Sequence, residues 1–200
     1  MESKKESIIN IVEQYGTKYF TVDGVIAAQT PNIIPNFKKI LNDFNMIIEI
    51  GTNRGGFSQW LFENKAPTAK FYTYDITSTC RLVNNRPDIN FIIGDCFDEK
   101  IIKEITNYIT NNRTLLLCDG GNKEKEFETY APLIKSNDVI MLHDYSHDPE
   151  RFKTAQSINQ WTHYPESHYN NIKKSIELNN LIGYYYDEFS NVFWGSFIKQ

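Results

Sequence analysis

The sequence predicts one α/β domain with five parallel strands closed by an antiparallel C-terminal hairpin. Short apolar runs at Met46–Ile50, Phe71–Tyr74, Phe91–Ile93, Leu115–Cys118 and Val139–Leu142 alternate with longer amphipathic stretches. That is the pattern of buried parallel strands joined by crossover helices. Two β-rich runs follow, Leu181–Asp187 and Asn191–Ile198, with a connection around Glu188–Ser190 that is too short for a parallel crossover.

Ahead of the first parallel strand, Glu6–Tyr15 gives a weak helical pattern and Ile33–Phe44 a stronger one. Further helices are expected over Phe57–Asn64, Glu99–Thr110 and Glu124–Ile134. In the last, Phe127, Tyr130, Ala131 and Ile134 recur at helical spacing and form a stripe that suits packing on a sheet. Near the C-terminus, the aromatic segment Trp161–Tyr169 reads equally as a wall or lid over a substrate and as a packing surface.

No repeat, low-complexity tract or linker divides the chain, so residues 1–200 are expected to form a single domain, with 1–44 as an N-terminal approach segment. The formal charge is −4 and the pI near 5.6, which argues against a protein that grips nucleic acid. Cys80, Cys96 and Cys118 are odd in number and form no C-x-x-C pair, so neither a disulfide framework nor a zinc knuckle is indicated. The start of the chain lacks a signal-peptide pattern and no run reaches membrane-spanning length. The expectation is a cytoplasmic protein with no membrane partner.

Open parallel sheets bind ligands beyond the carboxyl ends of their strands. Each predicted parallel strand carries an acid at or near that end: Glu49, Asp75, Asp95, Asp119 and Asp144. After Glu49 come Gly51, Thr52 and the pair Gly55-Gly56, then Phe57-Ser58 opening a helix, whose first amides suit a carboxylate. The glycine spacing does not meet the dinucleotide fingerprint, and an acid before the turn suits the cationic amino-acid end of S-adenosylmethionine. Asp75 is placed to accept ribose hydroxyls. Asp95 is placed for an adenine amino group with Cys96 or Phe97 beside the ring, or else it marks a helix start. Asp119 and His143-Asp144 converge over adjacent strands. They are the candidate catalytic residues and the candidate ligands of a divalent metal. Read singly, Asp119-Gly120 is equally a turn and His143 a half-buried structural histidine.

Together the segments Gly24–Pro31 (with Gln29-Thr30-Pro31), Ile47–Gly51 with Gly55–Ser58, Leu117–Gly120, Glu128–Leu133 and His143-Asp144 resemble a group of class I S-adenosylmethionine-dependent methyltransferases. This is the cephalosporin hydroxylase and rhamnosyl or macrolide-sugar O-methyltransferase group. The resemblance spans roughly residues 24–145 and implies a Rossmann-like class I methyltransferase sheet with S-adenosylmethionine as cofactor. It further implies a divalent metal, usually magnesium, and a sugar or other small-molecule hydroxyl as acceptor. By position, Asp119 and Asp144 match two carboxylate ligands. His143 stands where the group has a glutamate ligand, which would tilt the metal toward manganese, or it is a displaced general base. Asn122 stands where sugar methyltransferases of the group have a histidine base.

The resulting expectation is O-methyl transfer to a small-molecule hydroxyl, with a homo-oligomer left open. Its rivals are a silent S-adenosylmethionine-binding module, a nucleotide-cofactor oxidoreductase and a nucleic-acid methyltransferase. The oxidoreductase is disfavoured by the glycine spacing and the terminal hairpin. The nucleic-acid methyltransferase is disfavoured by charge and by Asp119-Gly-Gly-Asn122 where an Asn/Asp-Pro-Pro-aromatic motif would stand.

Overall fold

The computed structural model describes residues 7–14, 17–77, 80, 86–150, 152–153 and 165–200. Ile9–Gln14 (β1), Thr17–Val22 (β2) and Val25–Ile26 (β3) form an antiparallel N-terminal sheet. Helix α1 spans Ile33–Ile40, and a 3-10 turn continues it over Leu41–Asp43. The chain then runs through Met46–Ile50 (β4), Gly56–Asn64 (α2), Lys70–Asp75 (β5), Asn90–Ile93 (β6) and Glu99–Asn111 (α3). Next come Thr114–Cys118 (β7), Lys123–Tyr130 (α4), Val139–His143 (β8), Tyr145–Ser146 (β9) and Ser167–His168 (β10). It ends with Tyr169–Leu178 (α5), Leu181–Gly183 (β11), Tyr186–Ser190 (α6) and Trp194–Lys199 (β12).

The main sheet has seven strands in the order β11-β12-β8-β7-β4-β5-β6. Strands β8, β7, β4, β5 and β6 are parallel, and β12 runs antiparallel to both of its neighbours. This is the class I methyltransferase sheet that the sequence predicts. The apolar runs have no polar alternation because both faces are covered. Ile47, Leu115, Leu117, Val139 and Met141 face one core, with Phe37, Phe57, Trp60 and Trp194. Met46, Ile48, Leu116, Ile140 and Leu142 face the other, with Ile105, Phe127, Tyr130 and Ile172. Successive residues of a strand point to opposite faces, so one run feeds both layers.

Two expectations are corrected. Of the helix expected over Glu6–Tyr15, the described residues 9–14 are strand instead and pair with β2 from Ile9↔Val22 to Gln14↔Thr17. The β-branched sequence Ile8-Ile9-Asn10-Ile11-Val12 favours a pleated strand over the helical spacing of its apolar residues. The C-terminal pair is antiparallel as expected, but its connection is longer than the three or four residues anticipated, and Tyr184–Asp187 is not strand. A helical turn, α6, sits between the strands instead, with Tyr186 packed on Phe197 at a ring separation of 5.5 Å. Helix α4 also stops early, at Tyr130, because Pro132 has no N–H to extend the helical ladder and its ring would meet the carbonyl one turn back. Its predicted stripe is nonetheless fully inside, with Phe127, Tyr130 and Ala131 at 0 % exposure. Among the described residues, no helix is long and apolar enough to cross a membrane.

Candidate functional site

The loop after β4 turns through three left-handed residues, Gly51 (φ 97°), Asn53 (φ 51°) and Gly55 (φ 88°). A side chain at Gly51 would put its Cβ 2.1 Å from the Asp119 carbonyl oxygen, and one at Gly56 would put it 2.5 Å from the Ile26 carbonyl oxygen. Both bare faces are therefore filled by neighbouring backbone, β7 in one case and the N-terminal sheet in the other. The first-turn amides of α2, which a helix leaves without internal partners, start at Gly56, Phe57 and Ser58. The Phe57 ring belongs to the core, packed against Phe37, Trp60 and Trp194.

Glu49 is not an open acid. It is 1 % exposed, and its Oε2 accepts from the Ser58 hydroxyl and, at 2.5 Å, from the Thr73 hydroxyl. Thr52 and Thr73 share a further hydrogen bond of 2.6 Å. Since Thr73 donates to Glu49, Thr52 is the donor to Thr73. Burial raises the Glu49 pKa to about 8 against the Ser58 and Thr73 hydrogen bonds, with Asp119 and Asp75 adding to the rise. Glu49, Thr52 and Ser58, expected to hold cofactor, spend these side-chain bonds on tying the end of β4 to β5 and α2.

Asp75, at the end of β5, lies beside the loop: its Oδ2 accepts from the Asn53 amide at 2.9 Å. Its Oδ1 accepts from the Thr77 amide at 2.9 Å and the Thr77 hydroxyl at 3.0 Å. After β6, Asp95 closes a turn by accepting from the Phe97 amide at 2.9 Å. Asp98, not Asp95, occupies the N-cap position of α3. The carbonyl of Cys96 accepts from the Tyr130 hydroxyl, which ties this loop to α4. Ile76 and Ile93 are 70 % and 56 % exposed at these two strand ends.

The ends of β7 and β8 bring Asp119, His143 and Asp144 together, as the sequence predicts. His143 Nδ1 lies 2.7 Å from Asp119 Oδ1. At that distance Nδ1 carries the proton and donates it to the carboxylate, so in the neutral ring Nε2 is the acceptor. Asp119 Oδ2 accepts from Gln29 Nε2 at 2.8 Å. Gln29 Oε1 in turn accepts from Trp194 Nε1 at 3.1 Å, an indole that can only donate, which fixes the amide orientation. Trp194 also covers the imidazole at a ring separation of 4.8 Å. Burial lowers the His143 pKa, but Asp119 and Asp144 outweigh it and the net shift is upward.

Asp144 takes a left-handed conformation (φ 53°). Its Oδ2 lies 3.0 Å from the ammonium of Lys123, which is also 2.9 Å from Glu166 Oε2. The Asp144 carbonyl accepts from the Glu166 amide at 2.7 Å. Burial acts to lower the Lys123 pKa, and Asp144, Asp119 and Glu166 more than reverse it. Glu126 closes the loop after β7 from below, accepting from the Gly120 and Asn122 amides, each at 3.1 Å.

A divalent ion does not fit this donor set. Asp119 is engaged by His143 and Gln29, and Asp144 by a buried ammonium. Among the described residues, no group of three or more His, Cys, Asp or Glu is arranged to hold a metal. The three residues expected as the metal's ligands are instead held by one another, by Gln29 and by Lys123. Asn122 is a helix cap, its Oδ1 accepting from the Lys125 amide at 3.1 Å. Lys123 and Trp194 were not singled out from the sequence. A lysine at the first position of a helix opposes the helix dipole, and that misfit was the available signal for Lys123. Of the aromatic segment expected as a wall or lid, residues 161–164 lie outside the described residues.

The FtsJ-like methyltransferase family matches residues 31–142. A sequence search of curated proteins finds no match. Among solved structures, cmcI with magnesium and S-adenosylmethionine superposes at a TM-score of 0.62 and 14 % identity, over 90 % of this chain and 76 % of that one. A putative caffeoyl-CoA O-methyltransferase from Staphylococcus aureus gives 0.59 at 15 % identity, over 84 % and 82 %. Human N-acetylserotonin methyltransferase with S-adenosylmethionine gives 0.53 at 12 % identity, over 84 % and 50 %.

Proposed function

Since the chain belongs to the FtsJ-like methyltransferases, a class I S-adenosylmethionine-dependent fold, we propose that it methylates a hydroxyl of a small molecule, with sugars among the acceptors, as a single domain. The observation that carries the chemistry is the 2.7 Å contact between Asp119 Oδ1 and His143 Nδ1. Asp119 holds the imidazole in the tautomer whose Nε2 accepts a proton, and it stabilises the imidazolium that results. Gln29 and Trp194 hold the Asp119–His143 pair from the far side, so the pair needs little reorganisation when charge develops on the ring.

The residues present suit S-adenosylmethionine, which when bound supplies an electrophilic sulfonium methyl group. Amides of the loop and of the first turn of α2 would receive its carboxylate, as helix N-termini receive anions. Asp75 accepts from two loop amides and the Thr77 hydroxyl, which leaves acceptor capacity for a ribose hydroxyl, and a second could displace that of Thr77. Asp95 and Cys96, with the exposed Ile93, would flank the adenine. A small acceptor agrees with the formal charge of −4, and O-methyl transfer agrees with the name of the Staphylococcus aureus neighbour.

One observation favours the silent-module reading: Asn122 is spent as a helix cap where a base is expected. The experiment that separates the two is transfer of a labelled methyl group to a panel of glycosides, phenols and hydroxy acids. Transfer that disappears in His143→Gln supports the enzyme. Cofactor binding with no transfer to any acceptor supports the module.

A further inference from the structure

Lys123 places a positive charge where the strand-end carboxylates meet. The residue is 9 % exposed, and its ammonium is held by Asp144 at 3.0 Å and Glu166 at 2.9 Å. Asp119 attracts it from the end of β7. These three acids come from three segments: the ends of β7 and β8, and the stretch leading into β10. The groups facing the ammonium also include His143 and the buried Glu126, both of which feel its charge. A lysine that opens a helix gains nothing from the helix dipole, so the ion pairs are what hold it in this place.

We propose that the Lys123 ammonium is the built-in cation of this site, standing where a divalent metal would otherwise bridge the β7 and β8 carboxylates. A metal ion bound through Asp144 Oδ2 would lie within a few ångströms of a fixed positive charge in a partly buried setting, where like charges repel strongly. Lys123 thereby makes the site independent of divalent metal, and it acts as a positioning residue that holds Asp144 and Glu166 beside the ends of β7 and β8. The proposal rests on the same strand-end residues as the methyl-transfer reading. Its test reads metal binding, so it succeeds or fails whether or not an acceptor is ever found.

The test is a titration of Mn²⁺ followed by electron paramagnetic resonance. It compares wild type, Asp144→Asn, Lys123→Ala, Lys123→Gln and the double variant Lys123→Ala/Asp144→Asn, with thermal melts to establish folding. Wild type should show no Mn²⁺ site that Asp144→Asn removes. Lys123→Ala should gain a site at least ~10-fold tighter, on the scale by which metal-site neighbours tune affinity, and Asp144→Asn in that background should abolish it. Lys123→Gln keeps most of the length and an N–H donor, and it carries the comparison if the alanine variant does not fold. Mn²⁺ binding to wild type that depends on Asp144 overturns the proposal, as does a folded Lys123 variant that gains no site.

Discussion

Asp119 and His143 are joined at 2.7 Å across adjacent parallel strands, and Asp119 is held on its other oxygen by Gln29 at 2.8 Å. One carboxylate thus links the N-terminal segment, β7 and β8. The proposed chemistry and the surrounding packing both depend on how firmly that link is made.

Asp75 is predicted to carry ribose recognition. Asp75→Ala should weaken S-adenosylhomocysteine binding by about 1.5–3 kcal/mol, the worth of charge-assisted hydrogen bonds. Part of that loss will come from the loop, because Asp75 also holds the Asn53 amide. Isothermal titration calorimetry checks this, and unchanged affinity would remove Asp75 from the cofactor site.

Glu49 should make stability fall with pH. Its folded pKa of about 8 lies above the ordinary carboxyl value of 4.5, so the folded state keeps a proton that the unfolded chain releases. This contribution is fully present below about pH 4.5 and is lost as pH rises through about 8. Its size is on the order of a few kcal/mol, at about 1.4 kcal/mol per pH unit. His143, also shifted upward, adds a loss in the same direction. Denaturant melts of wild type and Glu49→Gln between pH 5 and pH 8.5 check the assignment, and the variant should show the flatter profile.

The bare faces of Gly51 and Gly56 should be intolerant of any side chain. Gly51→Ala would set a Cβ against the Asp119 carbonyl at 2.1 Å and should destabilise the protein by about 3 kcal/mol or more, through overpacking and a left-handed backbone. The Gly121 position meets nothing within 4 Å, so Gly121→Ala should melt close to wild type. Equal melting of the two variants would contradict the close approach of β4 and β7.

Asn122→Ala should cost about 0.5–2 kcal/mol through loss of the α4 cap and leave turnover per folded molecule unchanged. A large fall in kcat with unchanged stability would restore Asn122 to the chemistry.

The main sheet was legible in the sequence because its central strands are buried on both faces, so Leu115–Cys118 and Val139–Leu142 stand out as unbroken apolar runs. The N-terminal sheet was not. Ile8, Ile11 and Val12 mimic helical spacing, while the β2–β3 turn at Asp23-Gly24 was a usable hairpin signal. Strand-end position predicted that Asp119, His143 and Asp144 would meet. It could not predict that the Glu49 carboxylate, on β4, would be buried against Ser58 and Thr73, because those partners come from α2 and β5 and are set by tertiary packing. Lys123 was hidden for a related reason: its two ion-pair partners, Asp144 and Glu166, are far from it in sequence.

The most direct test of the Asp119–His143 assignment is single-turnover transfer of a labelled methyl group to the best acceptor of the panel, measured against pH in wild type, His143→Gln and Asp119→Asn. Wild-type transfer should rise with pH through a limb displaced above the ordinary histidine pKa of 6.5, because the acids beside His143 raise it. Each single variant should lose about 10²–10⁴-fold in rate, and the double variant His143→Gln/Asp119→Asn, assayed beside them, little more, since the two residues act as one unit. His143→Gln should bind S-adenosylhomocysteine as wild type does. Full activity in His143→Gln with the pH limb intact would contradict the account.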